Sequence, residues 1–126
     1  MAMLTNEHKE FIKNVGLCII ASADKNGVPN ASYKGTLSVL DDEHLVFADI
    51  FSAKTRKNLL ENNKVCVLMG DLKTMEGYQF VGEAELLNSG ELYDAVSAKV
   101  IEKKFPKPVY VVKIKINEIF YAGVKK

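Results

Sequence analysis

Apolar and polar positions along the chain alternate between a helical period and the two-residue period of strands. Residues 5–15 place Phe11, Ile12 and Val15 on one helical face, with Thr5 able to cap the start and Gly16 to stop the end, so the spacing predicts a short amphipathic helix. A β-rich run follows at 17–23, and Asn26-Gly27 supplies a tight hairpin turn. The next strand is predicted to be long, over 28–39, with Gly35 in its interior marking a bulge or a close approach of backbone to a neighbour or ligand. A third short strand covers 45–48, after the Asp41-Asp42-Glu43 turn. Ser52 is placed to cap a helix over 53–61 that stops at Asn62-Asn63.

Strands are then predicted at 65–69 and 77–87, the second with Gly82 in its interior, joined by the polar turn 71–76. Leu92, Ala95, Val96 and Val100 recur at helical spacing within 89–104, and Pro106 and Pro108 end that helix. The last strand, 109–116, alternates Tyr110, Val112, Ile114 and Ile116 on one face with Val109, Val111, Lys113 and Lys115 on the other. It is expected to be buried on one side and wet on the other.

Six strands with helices at the start, after the third strand and before the sixth do not alternate as βαβ units would. The pattern predicts a mainly β fold, a six-stranded antiparallel barrel with peripheral helices, in one domain over 1–126. Ferredoxin-like and other α+β sandwiches fit the same pattern. A chain of 126 residues is long enough to bury one core, and no repeat or linker interrupts it.

Charge narrows the partners. Seventeen basic residues against 16 acidic ones leave a net charge of +1, which provides no long-range field toward nucleic acid or an anionic membrane. Neither is expected as a partner. Arg56 is the only arginine, so lysine must do any anion binding. Cys18 and Cys66 lie in apolar runs and read as buried thiols. With no secretory leader pattern and no stretch of about 20 apolar residues, a reducing cytoplasm is the expected setting. His8 and His44 have no partners at metal-ligand spacing and read as surface residues; no metal site is expected.

Two segments can carry chemistry. In Asp49-Ile50-Phe51-Ser52-Ala53-Lys54-Thr55 a strand passes through a short loop into a helix start. There, unpaired N–H groups and the dipole favour an anion, so Ser52, Lys54 and Thr55 can hold a phosphate monoester together. An ordinary Ser-capped, solvated helix fits the same residues. In Tyr33-Lys34-Gly35 the glycine would admit a flat ring close to the backbone and the lysine would set a cation beside it; a bulge with a solvent-facing lysine is the alternative. No catalytic triad, GxGxxG or Walker loop is present, and no catalytic residue is assigned.

Taken in order, the Asn-Gly turn and Pro29 strand, then Phe47 through Ser52-Ala53-Lys54-Thr55 with Leu59 and Asn62-Asn63 behind it, then Gly77-Tyr78-Gln79-Phe80-Val81-Gly82, resemble the pyridoxamine 5'-phosphate oxidase-like split β-barrels. The likeness runs over nearly the whole chain and is nearest the short, single-domain FMN-binding proteins of that superfamily. It implies a Greek-key split barrel and a homodimer with FMN at the subunit interface. Lys54 and Thr55 would bind the phosphate with help from Ser52. Asp49, Ile50 and Phe51 would border the ring, and Tyr33, Lys34 and Gly35 would run along the isoalloxazine. Partner contacts would involve Tyr78, Gln79 or Tyr121-Ala122-Gly123.

An FMN-dependent oxidoreductase drawing on a nicotinamide nucleotide or another small electron donor is the first functional expectation. A non-catalytic FMN or electron carrier, or a barrel holding heme or the deazaflavin F420, are the others. The sequence departs from the vitamin-B6 oxidases in two places. Their Arg-Lys pair is Ala53-Lys54 here, and their arginine-rich C-terminal segment is absent, which argues against pyridoxamine phosphate as substrate.

Overall fold

The computed structural model describes residues 3–124. Helix α1 (Asn6–Val15) starts in a reciprocal capping box: the His8 amide donates to Thr5 Oγ1 at 3.2 Å and the Thr5 amide to His8 Nδ1 at 3.1 Å. It ends at Gly16, whose φ of 76° lies in the left-handed region that glycine enters freely. His8 is therefore no free surface residue. Its ring is half-buried, packed edge-on against Tyr78 and Phe80. His44 is likewise half-buried, bonded through Nδ1 to Asp41 at 2.8 Å.

Among the described residues seven strands form one antiparallel sheet: β1 (Cys18–Ala23), β2 (Pro29–Lys34), β3 (Ser38–Asp41), β4 (His44–Asp49), β5 (Lys64–Asp71), β6 (Glu76–Leu87) and β7 (Tyr110–Tyr121), in the order β2-β1-β5-β6-β7-β4-β3. Helix α2 (Ala53–Glu61) follows β4 and α3 (Glu91–Glu102) precedes β7.

The count of six strands is corrected at one place. The single strand expected over 28–39 is two, β2 and β3, which occupy opposite edges of the sheet. Residues 35–37 carry the chain between those edges. Leu37 turns into the core, and the Thr36 hydroxyl accepts the Ala48 amide of β4 at 3.1 Å. The less exposed positions change here from even (30, 32, 34, 36) to odd (37, 39), while the apolar–polar alternation of the sequence itself runs on, so the sequence pattern does not register the break. Gly35 lies just past the end of β2 rather than inside a strand, and a Cβ there would meet no protein atom within 4 Å, so no close protein neighbour requires glycine.

The main core lies inside the curved sheet, where Ile20, Leu45, Phe47, Val67, Phe80, Ile114 and Ile116 are all wholly buried and α1 and α2 contribute Ile12 and Leu59. A second, smaller cluster joins Val46 and Val111 to Tyr93 of α3. The face of β7 expected to be wet is thus covered at Val111, because α3 lies across it. Strand β7 also runs five residues further than expected. It is shifted in register opposite Val81 and Gly82, and a Cβ on Gly82 would fall 1.9 Å from the Lys115 carbonyl oxygen, so only glycine fits. Cys18 is buried and Cys66 half-buried, both as free thiols. Among the described residues no helix is long and apolar enough to cross a membrane.

Candidate functional site

Three elements converge on a cleft of about 410 Å³. Strand β2 and the link after it supply Asn30, Ser32, Tyr33, Lys34, Gly35 and Thr36. The end of β4 and its loop supply Ala48, Ile50, Phe51 and Ser52, and the first turn of α2 supplies Ala53, Lys54 and Thr55. Phe105 reaches in from the segment between α3 and β7. The two sequence segments singled out above, 18 residues apart from Tyr33 to Phe51, thus face one another across one opening.

The first turn of α2 is built unlike a self-contained helix end. Ser52 occupies the N-cap position, yet its side chain makes no capping hydrogen bond, and no acidic residue stands in the first turn. Helix α1, by contrast, carries Glu7 there and α3 carries Glu91 and Asp94. An uncapped helix start leaves its leading N–H groups and the positive end of the dipole for something else. Ser52 is buried, whereas Lys54 is exposed at the mouth.

Thr55 is buried and tied to β2: its Oγ1 lies 3.0 Å from Ser32 Oγ and accepts from Asn30 Nδ2 at 3.3 Å. Sequence reasoning missed Asn30, Ser32, Thr36, Ala48, Ala53 and Phe105. The period-two spacing of Asn30, Ser32 and Lys34, which puts them on one face of β2, was the available signal for the first two. Phe105, between a helix and two prolines, carried none.

Asp49 does not line the cleft. It is 2% exposed, its carboxylate accepts from Arg56 Nε at 2.6 Å and Nη2 at 3.3 Å, and it also takes the Ser52 amide at 3.3 Å. The expectation that Asp49 borders a ring gives way to a carboxylate held behind the loop. The hydrogen bond that Arg56 donates to Asp49 raises the pKa of Arg56, holding its guanidinium charged. Lys34 is half-buried, its Nζ donating to the Tyr33 carbonyl at 3.3 Å; burial pulls its pKa down, against the opposing pull of Asp49 and Cys18. Tyr33, Phe51 and Phe105 are 69%, 80% and 43% exposed around the opening, so three aromatic rings border a cleft whose floor is polar.

A second, larger groove of about 720 Å³ adjoins it, lined by Leu17, Leu68, Leu72, Met75 and Val124 among others, and shares Tyr33 with the first. Neither His8 nor His44 lines either opening, and among the described residues no group of three or more His, Cys, Asp or Glu is placed to hold a metal. Of the residues expected as partner contacts, Ala122 and Gly123 line this groove, whereas Tyr78 packs with Tyr121, His8 and Phe11.

Comparison with known proteins agrees with this architecture. An uncharacterized protein of Methanocaldococcus jannaschii is 40% identical over 121 residues, covering 93% of this chain and 79% of that one. The HupZ structure of Group A Streptococcus superposes with a TM-score of 0.88 at 30% identity, over 97% of this chain and 96% of that one. Two more distant structures share the fold. One is an FMN-binding protein of Syntrophomonas wolfei (TM-score 0.81, 20% identity, 94% and 85% of the two chains), and the other is HutZ, the heme storage protein of Vibrio cholerae (0.73, 22%, 95% and 94%). The family model for pyridoxamine 5'-phosphate oxidase matches residues 4–123, the whole span from the start of α1 to the end of β7. By its sequence and its split barrel, the chain belongs to the pyridoxamine 5'-phosphate oxidase family.

Proposed function

We propose that the protein is an FMN-binding flavoprotein that works as a homodimer. The observation that carries this reading is the first turn of α2: uncapped by a side chain, free of acidic residues and flanked by Lys54, it opens on a cleft bordered by Tyr33, Phe51 and Phe105. An anion at the helix start and a flat ring among the aromatics together describe a phosphorylated planar cofactor. The N–H groups of the α2 start and Lys54 would hold the phosphate, Thr55 and Ser32 would shape the floor beneath it, and Lys34 would set a positive charge beside the ring. FMN itself would supply the hydride and electron chemistry; a cation near the ring raises its potential by favouring the reduced anion.

Self-association is supported by the apolar groove next to the cleft. Leu72 is 90% and Val124 71% exposed, more than isolated surface hydrophobics require, and Tyr33 is common to groove and cleft. A second copy seated there would cover the open side of the site. Pyridoxamine phosphate is disfavoured as substrate, because the sole arginine is engaged by Asp49 and presents no fork to the cleft.

An absorption spectrum of the purified protein with and without added FMN, followed by gel filtration of the coloured fraction, tests both parts. Oxidised-flavin bands co-eluting with a dimer are expected. Oxidation of NADH or NADPH with an added acceptor then distinguishes an oxidoreductase from a carrier. A Soret band on adding heme, with no retention of FMN, would replace this reading by the heme one; such a site would need an axial ligand other than His8 or His44.

A further inference from the structure

The arrangement at the start of α2 contains an apparent contradiction. A buried carboxylate, Asp49, stands three residues before the N-cap and bonds the Ser52 amide at 3.3 Å, directly beside the turn that is to receive an anion. Unopposed, that charge would repel the anion across a short, poorly solvated distance. The chain's only arginine sits one turn along, and both its Nε and Nη2 are turned back onto the carboxylate, at 2.6 and 3.3 Å. Its backbone amide meanwhile closes the first turn on the Ser52 carbonyl at 2.8 Å. Lys34 also feels the charge of Asp49, and Tyr110 stands near the guanidinium.

We propose that Asp49 and Arg56 are positioning residues for the anion site: Asp49 fixes the loop by taking the Ser52 amide, and Arg56 cancels the charge that this anchoring brings to the helix start. Neither touches the ligand. The inference rests on the reading of the cleft as a phosphate-bearing cofactor site, and it explains why an arginine in the first turn is not spent on that phosphate.

The ratio of FMN to riboflavin affinity isolates the effect, since the two ligands differ only in the phosphate and a general loss of structure weakens both. Arg56→Gln should lower the wild-type preference for FMN about tenfold. Arg56→Lys, which keeps the charge, should retain most of it. Asp49→Asn with Arg56→Gln, which removes both charges and leaves an amide oxygen for Ser52, should return it to within about threefold of wild type. An unchanged ratio in Arg56→Gln, or a double variant no better than the single one, overturns the proposal while the cofactor reading stands. A wild-type protein that binds both flavins equally overturns the cofactor reading, and this inference with it. Should Arg56→Gln fail to fold, the double variant decides alone: a preference lost there overturns the inference.

Discussion

Ser32 on β2 and Thr55 on α2 hold their hydroxyl oxygens 3.0 Å apart, tying an edge strand to the helix that follows β4, the strand beside the opposite edge. Asn30 adds a second bond to the same Thr55 oxygen. This contact holds the two walls of the cleft at a set spacing, so Thr55 has a structural load as well as a place at the site. Thr55→Val is expected to cost about 1 kcal/mol of stability, the usual worth of a neutral hydrogen bond, and to weaken FMN binding with it. Chemical denaturation and flavin titration on the same variant check both effects.

Lys54 lacks that structural load. It is exposed and bonded to none of the cleft walls, so Lys54→Ala should leave the unfolding midpoint unchanged. Its FMN affinity should fall by about 1.5–3 kcal/mol, the range for a hydrogen bond to a charged group. Unchanged affinity in that variant would remove Lys54 from the phosphate site.

Burial lowers the pKa of Lys34 from its ordinary 10.5, and Asp49 and Cys18 only partly oppose this. The folded chain therefore releases the Lys34 proton before the unfolded chain does. Stability gains as pH rises through the folded value toward 10.5, and at neutral pH the ammonium is a net burden. Lys34→Met should unfold at a higher temperature than wild type at pH 7, with the gap narrowing at alkaline pH, while binding FMN less tightly. A lower melting temperature at pH 7 would show that the attraction to Asp49 wins.

The Cys18 thiol behaves in the reverse sense. Burial pushes its pKa from 9.0 up to about 12, so the folded chain keeps a proton that the unfolded chain loses. Stability from this source is intact below pH 9 and declines between pH 9 and about pH 12. Cys18→Ala should lower stability overall but flatten that alkaline decline, seen as a smaller difference between urea midpoints at about pH 8 and about pH 11. In native wild-type protein at about pH 8, thiol reagents should leave Cys18 unmodified.

Gly82→Ala should destabilise the fold by about 3 kcal/mol, because the added methyl meets backbone that has no flexible end to move. Gly35→Ala, at a position open on all sides, is the control and should be near neutral in thermal unfolding.

Much of this was legible in the chain because the signals were local. Thr5 and Gly16 bound α1, Ser52 marks the start of α2, and residues 49–55 carry their own strand-loop-helix grammar. What failed to show depends on contacts between distant segments. The division of residues 28–39 is set by two sheet edges that the sequence does not reveal, and the apolar–polar alternation of the sequence continues through it. Asp49 and Lys54 look equally available in a row of letters. Only the fold turns one onto Arg56 and leaves the other at the opening. Phe105 joins the site through the path of the chain after α3, for which no residue pattern exists.

The strand order has a consequence for how the molecule is made. The first four strands to leave the ribosome become the two outer pairs, β2 with β1 and β3 with β4, and they share no hydrogen-bonded ladder with each other. The three strands that join them, β5, β6 and β7, are synthesised last. The β1–β2 hairpin gains its neighbour when β5 emerges, but the β3–β4 hairpin must wait, with its apolar face uncovered, until β7 slots between β6 and β4. The nascent chain passes through a period of exposure to chaperones and to aggregation that the finished barrel conceals.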